Sequence, residues 1–447
     1  MSVTSISKAD AEDRRAFGRN RRRIAQRSSQ SAWNASLRKQ EALDLIRHTS
    51  QDRISTLVPL KMARMAVSPF CFYRGSVQVM AADLALLPSS RIQVQICGDA
   101  HAKNLGAFTG LDGRMIFDLN DFDETVPGPW EWDVKRLATS LVLAGREAQN
   151  LDSICRSAVG IFMKTYREKM RAFAKMTVLD VARYRVHREF ERGPGAAILQ
   201  KAERATPLHS LENLTRIRKN GQRAFKVIKP VLTHLSNPKM REVLKSLKTY
   251  RETLAPERRH ILDGYHPMDV AFKIVGIGSV ATYDYVVLCF GNGPGDPLFL
   301  QIKQALRSSY APYLKNAAKI AHQGRRVVEG QRRMQVQSDP LLGWTSFGGR
   351  EFLVRQLSDH KAEIDAKLLR GQGLMRYAEL CGEILAKGHG RSGDPCELAG
   401  YLGSSNVLDR AIKKFAVKYA DQVTLDYEKF KTAIRNGTIQ PARKAYL

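Results

Sequence analysis

The chain has 447 residues, of which 43% are hydrophobic, enough to bury a sizeable core and to form about two to four domains. Its formal net charge of +28 at pH 7 attracts anions such as nucleotides, nucleic acids, phospholipid surfaces and acidic proteins. No apolar run reaches the roughly 18 residues that a membrane-spanning helix needs, and no secretory signal pattern opens the chain, so we expect a cytoplasmic protein. The six cysteines form no C-x-x-C pair, which indicates neither a zinc site nor a disulfide framework.

The first 40 residues are basic, serine-rich and weakly patterned, with seven arginines between positions 14 and 27. We predict a flexible segment or one loose helix here. The alternative is an arm that binds nucleic acid or a membrane surface. Asp10, Glu12 and Asp13 argue against a transit peptide.

Hydrophobic periodicity predicts helices at residues 41–66, 77–86, 130–144, 311–337, 372–390 and 406–436. Apolar alternation or short apolar runs predict strands at residues 92–96, 269–275, 282–290, 298–305 and 351–357, with a further strand after residue 104. Residues 150–260 read as almost wholly helical and very basic, and no set of residues there suggests chemistry. We therefore assign 150–265 to a helical subdomain or insertion.

A polar loop over residues 98–104 follows the first strand and contains Asp99, His101 and Asn104. The step of five residues from Asp99 to Asn104 is that of the kinase catalytic loop, in which the aspartate accepts a proton and the asparagine holds a metal ion. A metal-binding aspartate should follow at a strand end, and Asp118, Asp121 and Asp123 all qualify. No second histidine or cysteine lies at zinc-ligand spacing from His101, so we favour a structural hydrogen-bonding role for it.

Gly276, Gly278 and Ser279 lie between two predicted strands. A Rossmann turn would be followed by a helix, whereas β-forming residues follow here, so a hairpin is favoured. A glycine hairpin whose backbone amides cover phosphates is typical of kinases. The alternative is an ordinary hairpin turn.

Lys303 lies on the next strand and shares one face with Phe299 and Gln301. A lysine downstream of a glycine hairpin suits contact with nucleotide phosphates, and Glu329 is our candidate partner for it. The alternatives are a solvated edge lysine and, for Glu329, a local ion pair with Arg325 or Arg333.

Another polar loop, containing Arg391, Ser392 and Asp394, follows a predicted helix near the end of the chain. Two interpretations stay open for it. It binds a substrate or another anion, or it is a helix C-cap followed by a turn.

Motifs along nearly the whole chain resemble a large bacterial family, the domain of unknown function twenty-two fifty-two. They lie at residues 64–70, 72–75, 97–104, 117–124, 127–133, 296–303, 327–331, 354–357, 389–394 and 419–422.

The chain also resembles, more distantly, the aminoglycoside-phosphotransferase-like kinases. Their H-G-D-x-H-x-x-N loop is similar to residues 98–104, their I-D-F-D-D segment to 120–124, and their Y-D-L-A helix start to the residues around Asp133. In those kinases the metal aspartate precedes the helix aspartate by about a dozen residues. Asp121 lies twelve residues before Asp133, so it is preferred over Asp118 and Asp123. The resemblance implies that Asp99 is the catalytic base, that Asn104 and Asp121 hold magnesium, and that ATP is the donor.

Two features depart from the kinase pattern. The glycine loop and Lys303 follow Asp99 in the chain instead of preceding it, and Gln304 stands where an acid is expected after the lysine. We therefore expect an α+β, protein-kinase-like, two-lobed fold that is circularly permuted and carries a large helical insertion. Its expected divisions are a flexible segment (1–40), a catalytic half (41–149), the helical insertion (150–265), a nucleotide-binding β-rich lobe (266–365) and closing helices (366–447).

The expected function is an ATP- and magnesium-dependent phosphotransferase acting on an unknown small-molecule or protein acceptor. The alternatives are a catalytically silent kinase-like module that binds a nucleotide or a partner, and an AMP transferase. A nucleic-acid-binding protein ranks third, because the charge alone motivates it.

Overall fold

A computed structural model describes residues 10–110, 113–186, 194–204, 206–315, 320–357 and 362–446. The chain is 53% helical and 15% strand, which agrees with the expected mixture of α and β structure. Within the described ranges, no helix is both long enough and apolar enough to cross a bilayer.

The first part of the chain forms five short helices joined by 3₁₀ turns. They are α1 (Ala11–Asn20), α2 (Ala42–Ser50), α3 (Val58–Met65), α4 (Pro69–Gly75) and α5 (Val77–Leu84). Proline begins α4, and Ser68 caps it by accepting a hydrogen bond from the Cys71 amide at 3.1 Å.

Four short strands then position two loops side by side. Strand β1 (Gln93–Ile96) pairs with β4 (Val126–Pro129), and β2 (Leu105–Thr109) pairs with β3 (Met115–Leu119) and with β13 (Ala362–Glu363). One loop, residues 97–104, joins β1 to β2, and the other, residues 120–125, joins β3 to β4. Because both loops connect the same two pairings, they must lie next to each other. We call them the aspartate loop and the acidic loop.

Helix α6 (Trp130–Glu147) follows the acidic loop, and it is buried from Trp130 to Gly145. It packs in a helical body against α7 (Asp152–Phe173), α14 (Gln372–Ser392) and α16 (Val407–Arg435), with α15 (Pro395–Leu402) beside α7. A helix apolar enough to be buried nearly all round is a core helix. The helical body therefore combines α6 and α7 with helices from the C-terminal part of the chain.

The expectation that residues 150–260 are almost wholly helical is wrong in part. The described helices are α7, α8 (Val178–Arg183), α9 (Pro194–Arg204), α10 (Pro207–Leu214), α11 (Asn237–Glu252) and α12 (Pro256–Asp263), but three short strands lie among them. These are β5 (Thr215–Ile217), β6 (Arg223–Phe225) and β7 (Leu232–His234). Gly221, with φ of +78°, makes the tight turn between β5 and β6.

The main sheet contains β7 and five further strands, β8 (His266–Lys273), β9 (Asp284–Phe290), β10 (Pro297–Gln304), β11 (Gly343–Phe347) and β12 (Arg350–Gln356), in the part of the chain that the structure describes. Its strands are antiparallel and lie in the order β11-β12-β10-β9-β8-β7. Helix α13 (Gln323–Met334) lies between β10 and β11 in the chain. Leu300 and Ile302 pack on one face with Val243 and Tyr250 of α11. Gln301 and Lys303 lie on the other face, as the alternation predicted.

Residues 10–40, for which we expected a flexible segment or one loose helix, form α1 and several 3₁₀ turns, while residues 1–9 lie outside the described ranges. Helix α1 packs so closely on α15 that a Cβ at Gly18 would lie 2.0 Å from the Glu397 carbonyl oxygen. Arg22 donates to the Tyr401 carbonyl at 3.0 Å, and Arg27 to the Leu402 carbonyl at 2.8 Å. The last carbonyls of a helix lack partners and carry partial negative charge, so arginines bind them well.

A buried ion cluster fastens the rest of this segment. Arg38 donates to Asp83 at 2.6 Å and to Asp426 at 2.8 Å, and all three side chains are buried. Burial disfavours the charge of Arg38, but the hydrogen bonds that it donates to the two carboxylates outweigh this effect and raise its pKa. Arg38 therefore links the N-terminal segment to α5 and α16.

We expect Arg38→Met to lower the free energy of unfolding by about 3–5 kcal/mol, because it leaves two buried carboxylates without their cation. Urea denaturation measures this change. Arg47→Ala is the matched control, since Arg47 pairs with Asp44 at the surface, and its effect should stay below about 0.5 kcal/mol. Equal effects of the two variants would contradict a structural role for the Arg38 cluster.

Candidate active site

A cleft of about 370 Å³ is lined by both loops of the helical body and by the β8–β9 connection of the main sheet. Predicted residues that line it are Asp99, His101, Asn104, Asp121, Asp123, Gly276, Gly278 and Ser279. Lys303 reaches the same place, because its Nζ atom lies 2.5 Å from Asp123 and 3.5 Å from Asp121. The fold thus brings together most of the predicted site across about 200 residues of sequence.

Asp133, in the first turn of α6, anchors the aspartate loop through hydrogen bonds. Its carboxylate accepts the backbone amides of Cys97 at 2.6 Å and Gly98 at 2.8 Å. His389 lies 3.2 Å from the same carboxylate, and its other ring nitrogen is 2.8 Å from the Tyr166 hydroxyl. A carboxylate that receives several charge-assisted hydrogen bonds makes a rigid anchor.

Gly98 begins the loop at a position where a side chain does not fit. Its φ of +83° lies in the left-handed region, and a Cβ there would lie 2.4 Å from the Glu124 carbonyl oxygen. The aspartate loop and the acidic loop are therefore in backbone contact at this residue.

Asp99 projects into the cleft with one oxygen already occupied. Oδ1 accepts two hydrogen bonds from Arg136, at 2.8 Å from Nε and 2.5 Å from Nη2. Arg136 is fully buried and lies over the Tyr73 ring at 4.3 Å. Oδ2 lies 3.8 Å from His101 Nε2, beyond hydrogen-bond distance, so this oxygen is available to a ligand.

Asn104 holds the two loops together. Its amide nitrogen donates to the carbonyls of Asp99 and Asp121, each at 2.9 Å, and its oxygen accepts the Asp121 amide at 2.6 Å. Asn104 therefore positions Asp99 and Asp121. Its oxygen has a second lone pair, and its expected role as a magnesium ligand stays a prediction.

His101 is buried, and its Nδ1 accepts the Lys103 amide at 3.2 Å. Burial lowers its pKa to about 3, although the charge of Asp99 opposes the shift. The ring is therefore neutral at pH 7, which agrees with the expected structural role.

The acidic loop supplies two carboxylates that share Lys303. Burial opposes the charge of Lys303, but Asp121 and Asp123 outweigh it and raise its pKa. Burial likewise opposes ionisation of Asp121, but Lys303 and Arg355 lower its pKa overall. Burial and the neighbouring charge of Asp121 raise the pKa of Asp123 to about 6.

The two carboxylates suit magnesium bound together with phosphate. Among the described residues, Asp123 Oδ1 is buried without a hydrogen-bond partner, and Asp121 lies beside it. Within the described part of the chain, no group of three or more His, Cys, Asp or Glu side chains surrounds one point. Magnesium is commonly held by one or two carboxylates plus substrate phosphates, so this donor set fits a metal that arrives with a nucleotide.

The glycine loop, residues 274–283, joins the antiparallel strands β8 and β9, so it is the hairpin connection that the sequence indicated. Gly276 has a φ of +68°, and its carbonyl accepts a hydrogen bond from Arg64. A Cβ at Gly278 would lie 3.5 Å from the Arg74 carbonyl oxygen, so the loop rests on the end of α4. Its backbone forms one wall of the cleft.

Four predicted residues do not join this site. Glu329 pairs with Arg325 at 2.7 Å on the exposed side of α13, because the two residues lie one helical turn apart. The carboxylates that pair with Lys303 are those of Asp121 and Asp123. Asp118 is buried in an ion pair with Lys387 and does not line the cleft.

The last two lie at the junction of α14 and α15. Asp394 caps α15 and pairs with Arg14 at 2.8 Å, while Arg391 donates to the Gln335 carbonyl at 2.9 Å. Both side chains line a different cavity. The side chains of Asp394 and Arg391 therefore bind other protein groups, as expected for a junction between two helices.

Sequence reasoning missed the polar network behind Lys303. Gln301 donates to Asp284 at 2.7 Å and accepts from Arg355 at 3.0 Å, and Arg355 in turn reaches the Asn120 carbonyl at 3.2 Å. The shared face of Gln301 and Lys303 was readable from strand alternation. Asp284 and Arg355 could be identified only from the strand register, which sets Asp284 opposite Lys303 and Arg355 opposite Gln301.

The sequence profile of a family described as "Uncharacterized protein conserved in bacteria (DUF2252)" matches residues 53–433. No curated protein and no solved structure matches the chain. The matches therefore support the bacterial family and leave the more distant kinase resemblance as a hypothesis.

We expect Asp284→Asn to stabilise the protein at pH 8. Burial raises the pKa of Asp284 from 3.8 to about 7, against the charge of Lys303, and its Oδ1 is buried without a partner in the described part of the chain. The folded state thus holds a proton that the unfolded state releases, so wild-type stability falls as pH rises from about 4 to about 7. The gain should be on the order of 2 kcal/mol at pH 8 and should vanish near pH 4.

Urea denaturation of both proteins across this pH range measures the difference. Asp44→Asn, at an exposed carboxylate, is the control and should shift stability little at any pH. A gain for Asp284→Asn that does not depend on pH would contradict the neutral carboxyl.

Proposed function

Since the chain belongs to this bacterial family, whose description names no activity, we propose a function from the chemistry of the cleft: an ATP- and magnesium-dependent phosphotransferase. The acceptor is an unidentified small molecule or protein. The observation that carries the proposal is the meeting of Asp99, Asp121, Asp123 and Lys303 around one cleft.

The glycine loop and Lys303 would bind the donor. Backbone amides of a glycine hairpin can approach phosphate oxygens closely, because no side chains intervene. Lys303 is buried and charged, and it lies on the sheet that carries the hairpin. An ammonium group held in this way attracts phosphate oxygens strongly, since the surrounding dielectric is low.

Asp121 and Asp123 would hold magnesium together with the phosphates, and the ion would neutralise charge on the leaving phosphate. Asn104 keeps Asp121 in register with Asp99 through the three hydrogen bonds already described. The chain's own contribution is thus the positioning of donor and acceptor.

Asp99 would orient the acceptor and receive its proton. In the proposed step the acceptor oxygen bonds to the terminal phosphorus of ATP, while the bond from that phosphorus to the bridging oxygen breaks and ADP leaves. The acceptor proton passes to Oδ2 of Asp99 and then to solvent. Arg136 fixes the carboxylate through Oδ1, which leaves Oδ2 directed at the acceptor.

We also propose that the fold is a permuted, two-lobed kinase-like fold. The main sheet with its glycine hairpin would be the nucleotide-binding lobe. The helical body would be the catalytic lobe, since its core contains α6 as well as α14 and α16. In support, Lys303 of the sheet meets the acidic loop of the helical body directly.

The proposed site does not need an acidic side chain at position 304, where glutamine stands. Its side-chain oxygen accepts the Tyr283 amide at 3.1 Å, so it ties β10 to the end of the glycine loop. The carboxylates near Lys303 come from the acidic loop instead.

Two related functions share the same cleft: a silent nucleotide-binding module, and transfer of AMP. Mass spectrometry of acceptors separates AMP transfer from phosphoryl transfer. Nucleic-acid binding has less support, because Arg22 and Arg27 of the N-terminal arginine run bind helix carbonyls.

We expect Asp99→Asn to bind magnesium-ATP nearly as well as the wild type but to turn it over at least about 100-fold more slowly. The reason is that the amide cannot accept the acceptor proton. Calorimetry measures the binding, and release of ADP with water as a slow acceptor measures the turnover. Absence of ATP binding by the wild type, or equal turnover by the variant, would contradict the proposed phosphotransferase activity.

We expect Lys303→Met to weaken ATP binding by about tenfold or more, because an ammonium–phosphate contact is lost. Binding of magnesium alone should become tighter, because Asp121 and Asp123 lose their competing cation. Lys429→Met is the control, since it removes the same charge from an exposed pair with Glu41. Calorimetric titrations with each ligand decide, and a fall in both affinities would count against this arrangement.

A further inference from the structure

Two arginines line the cleft beside the glycine loop, and the proposed step gives neither of them a role. Arg53 precedes the 3₁₀ turn that leads into α3, and Arg74 lies in the last turn of α4. Arg53 Nη1 donates to the Val280 carbonyl at 2.7 Å, and the Arg74 carbonyl faces Gly278. Both residues are thus attached to the glycine loop.

Within the described ranges, each of the two guanidinium groups has one buried donor without a partner. The Nε atoms of Arg53 and Arg74 are each buried without an acceptor in the described part of the chain. The Arg74 guanidinium lies over the Phe70 ring, 6.0 Å from its centroid. Burying a charged donor without an acceptor is costly, so each of these groups calls for a partner such as a ligand.

Within the described ranges, none of the cleft carboxylates forms an ion pair with Arg53 or Arg74. Asp99 is held by Arg136, and Asp121 and Asp123 share Lys303. Glu124 accepts the Ser309 amide at 2.6 Å and its hydroxyl at 3.0 Å. Burial lowers the pKa of Arg53, and the charges of Glu124 and Asp123 only oppose this shift. Within the described part of the chain, the two arginines therefore offer unpaired donors to an anion from outside the chain.

The position of Arg74 indicates which anion. The preceding residue, Tyr73, has its ring under Arg136 and its carbonyl 3.3 Å from Arg136 Nη2. Arg136 is the group that holds Asp99. Arg74 thus lies between the glycine loop and the Asp99 clamp, which is where a phosphate about to be transferred must lie.

We propose that Arg53 and Arg74 bind the terminal phosphate of the donor and so select a nucleoside triphosphate over a diphosphate. This inference rests on the proposed function for the site. The planar guanidinium fork matches two oxygens of a phosphate, and charge-assisted hydrogen bonds of this kind are strong. An anionic group on the acceptor would offer similar chemistry, and the affinities for ATP and ADP separate the two sources.

The experiment compares calorimetric affinities of the full-length protein for ATP, ADP and inorganic tripolyphosphate. The variants are Arg74→Gln and Arg53→Gln. The control is Arg325→Gln, which removes the same charge from an exposed residue of α13 outside this cleft. Arg74→Gln is expected to weaken ATP and tripolyphosphate binding by about tenfold and ADP binding by less than about threefold. The control should change neither affinity by more than about twofold.

Thermal unfolding separates a binding role from a structural one. Arg74 has no hydrogen-bond partner to lose within the described ranges, so Arg74→Gln should leave Tm unchanged or raise it. A lowered Tm with an unchanged ratio of ATP to ADP affinity would overturn the inference, as would equal losses for ATP and ADP. If the arginines control the ATP preference but no phosphoryl group is transferred, the inference stands and the proposed catalysis falls.

Discussion

The carboxylate of Asp133 is the constraint on which the site depends. It accepts the amides of Cys97 and Gly98, which fixes the start of the aspartate loop on the N-terminal end of α6. His389 ties the same carboxylate to α14, so three separate parts of the chain meet at one buried charge. Asp99 follows directly in sequence, and its direction is therefore set by the helical body. A group held this rigidly loses little entropy when it meets a substrate, which favours catalysis by positioning.

Several charged side chains of the cleft lie in local ion pairs, and these pairs determine its charge more directly than the large net charge of the chain does. Arg136 neutralises Asp99, and Lys303 lies against Asp121 and Asp123. The second contact joins the main sheet to the helical body, so the two regions are coupled where a triphosphate and its metal would bind. At one end of the cleft, beside the glycine loop, Arg53 and Arg74 each carry a buried Nε atom without an acceptor among the described residues. An excess of positive charge at that one end suits the phosphate chain of a nucleotide, because field lines are focused between low-dielectric walls.

Local patterns predicted the local features of the molecule. The aspartate loop, the hairpin at Gly276 and the polar face of β10 all follow from strand alternation and turn chemistry within a few residues. Partners distant in sequence were harder to identify. Glu329 was assigned to Lys303 from the order of elements, yet its neighbour Arg325 is closer by helical geometry. Asp118 resembled Asp121 and Asp123 in spacing, but alternation along β3 directs it to Lys387 in the core. The choice among these carboxylates depends on strand register, which spacing in the chain does not encode.

The arginine run shows why composition alone misleads about function. Its charge suggested a nucleic-acid arm or a disordered tail, because seven arginines in a short stretch are usually solvated. The unpaired carbonyls at the end of α15 are also partners for arginine, and they appear only when that helix is formed and packed on α1. Arg38 adds a buried bridge to Asp83 and Asp426, contributed by helices far apart in sequence. Part of the +28 charge is thus used inside the fold, and the anions that this protein attracts must be sought where cations lack partners, at Arg53 and Arg74 in the cleft.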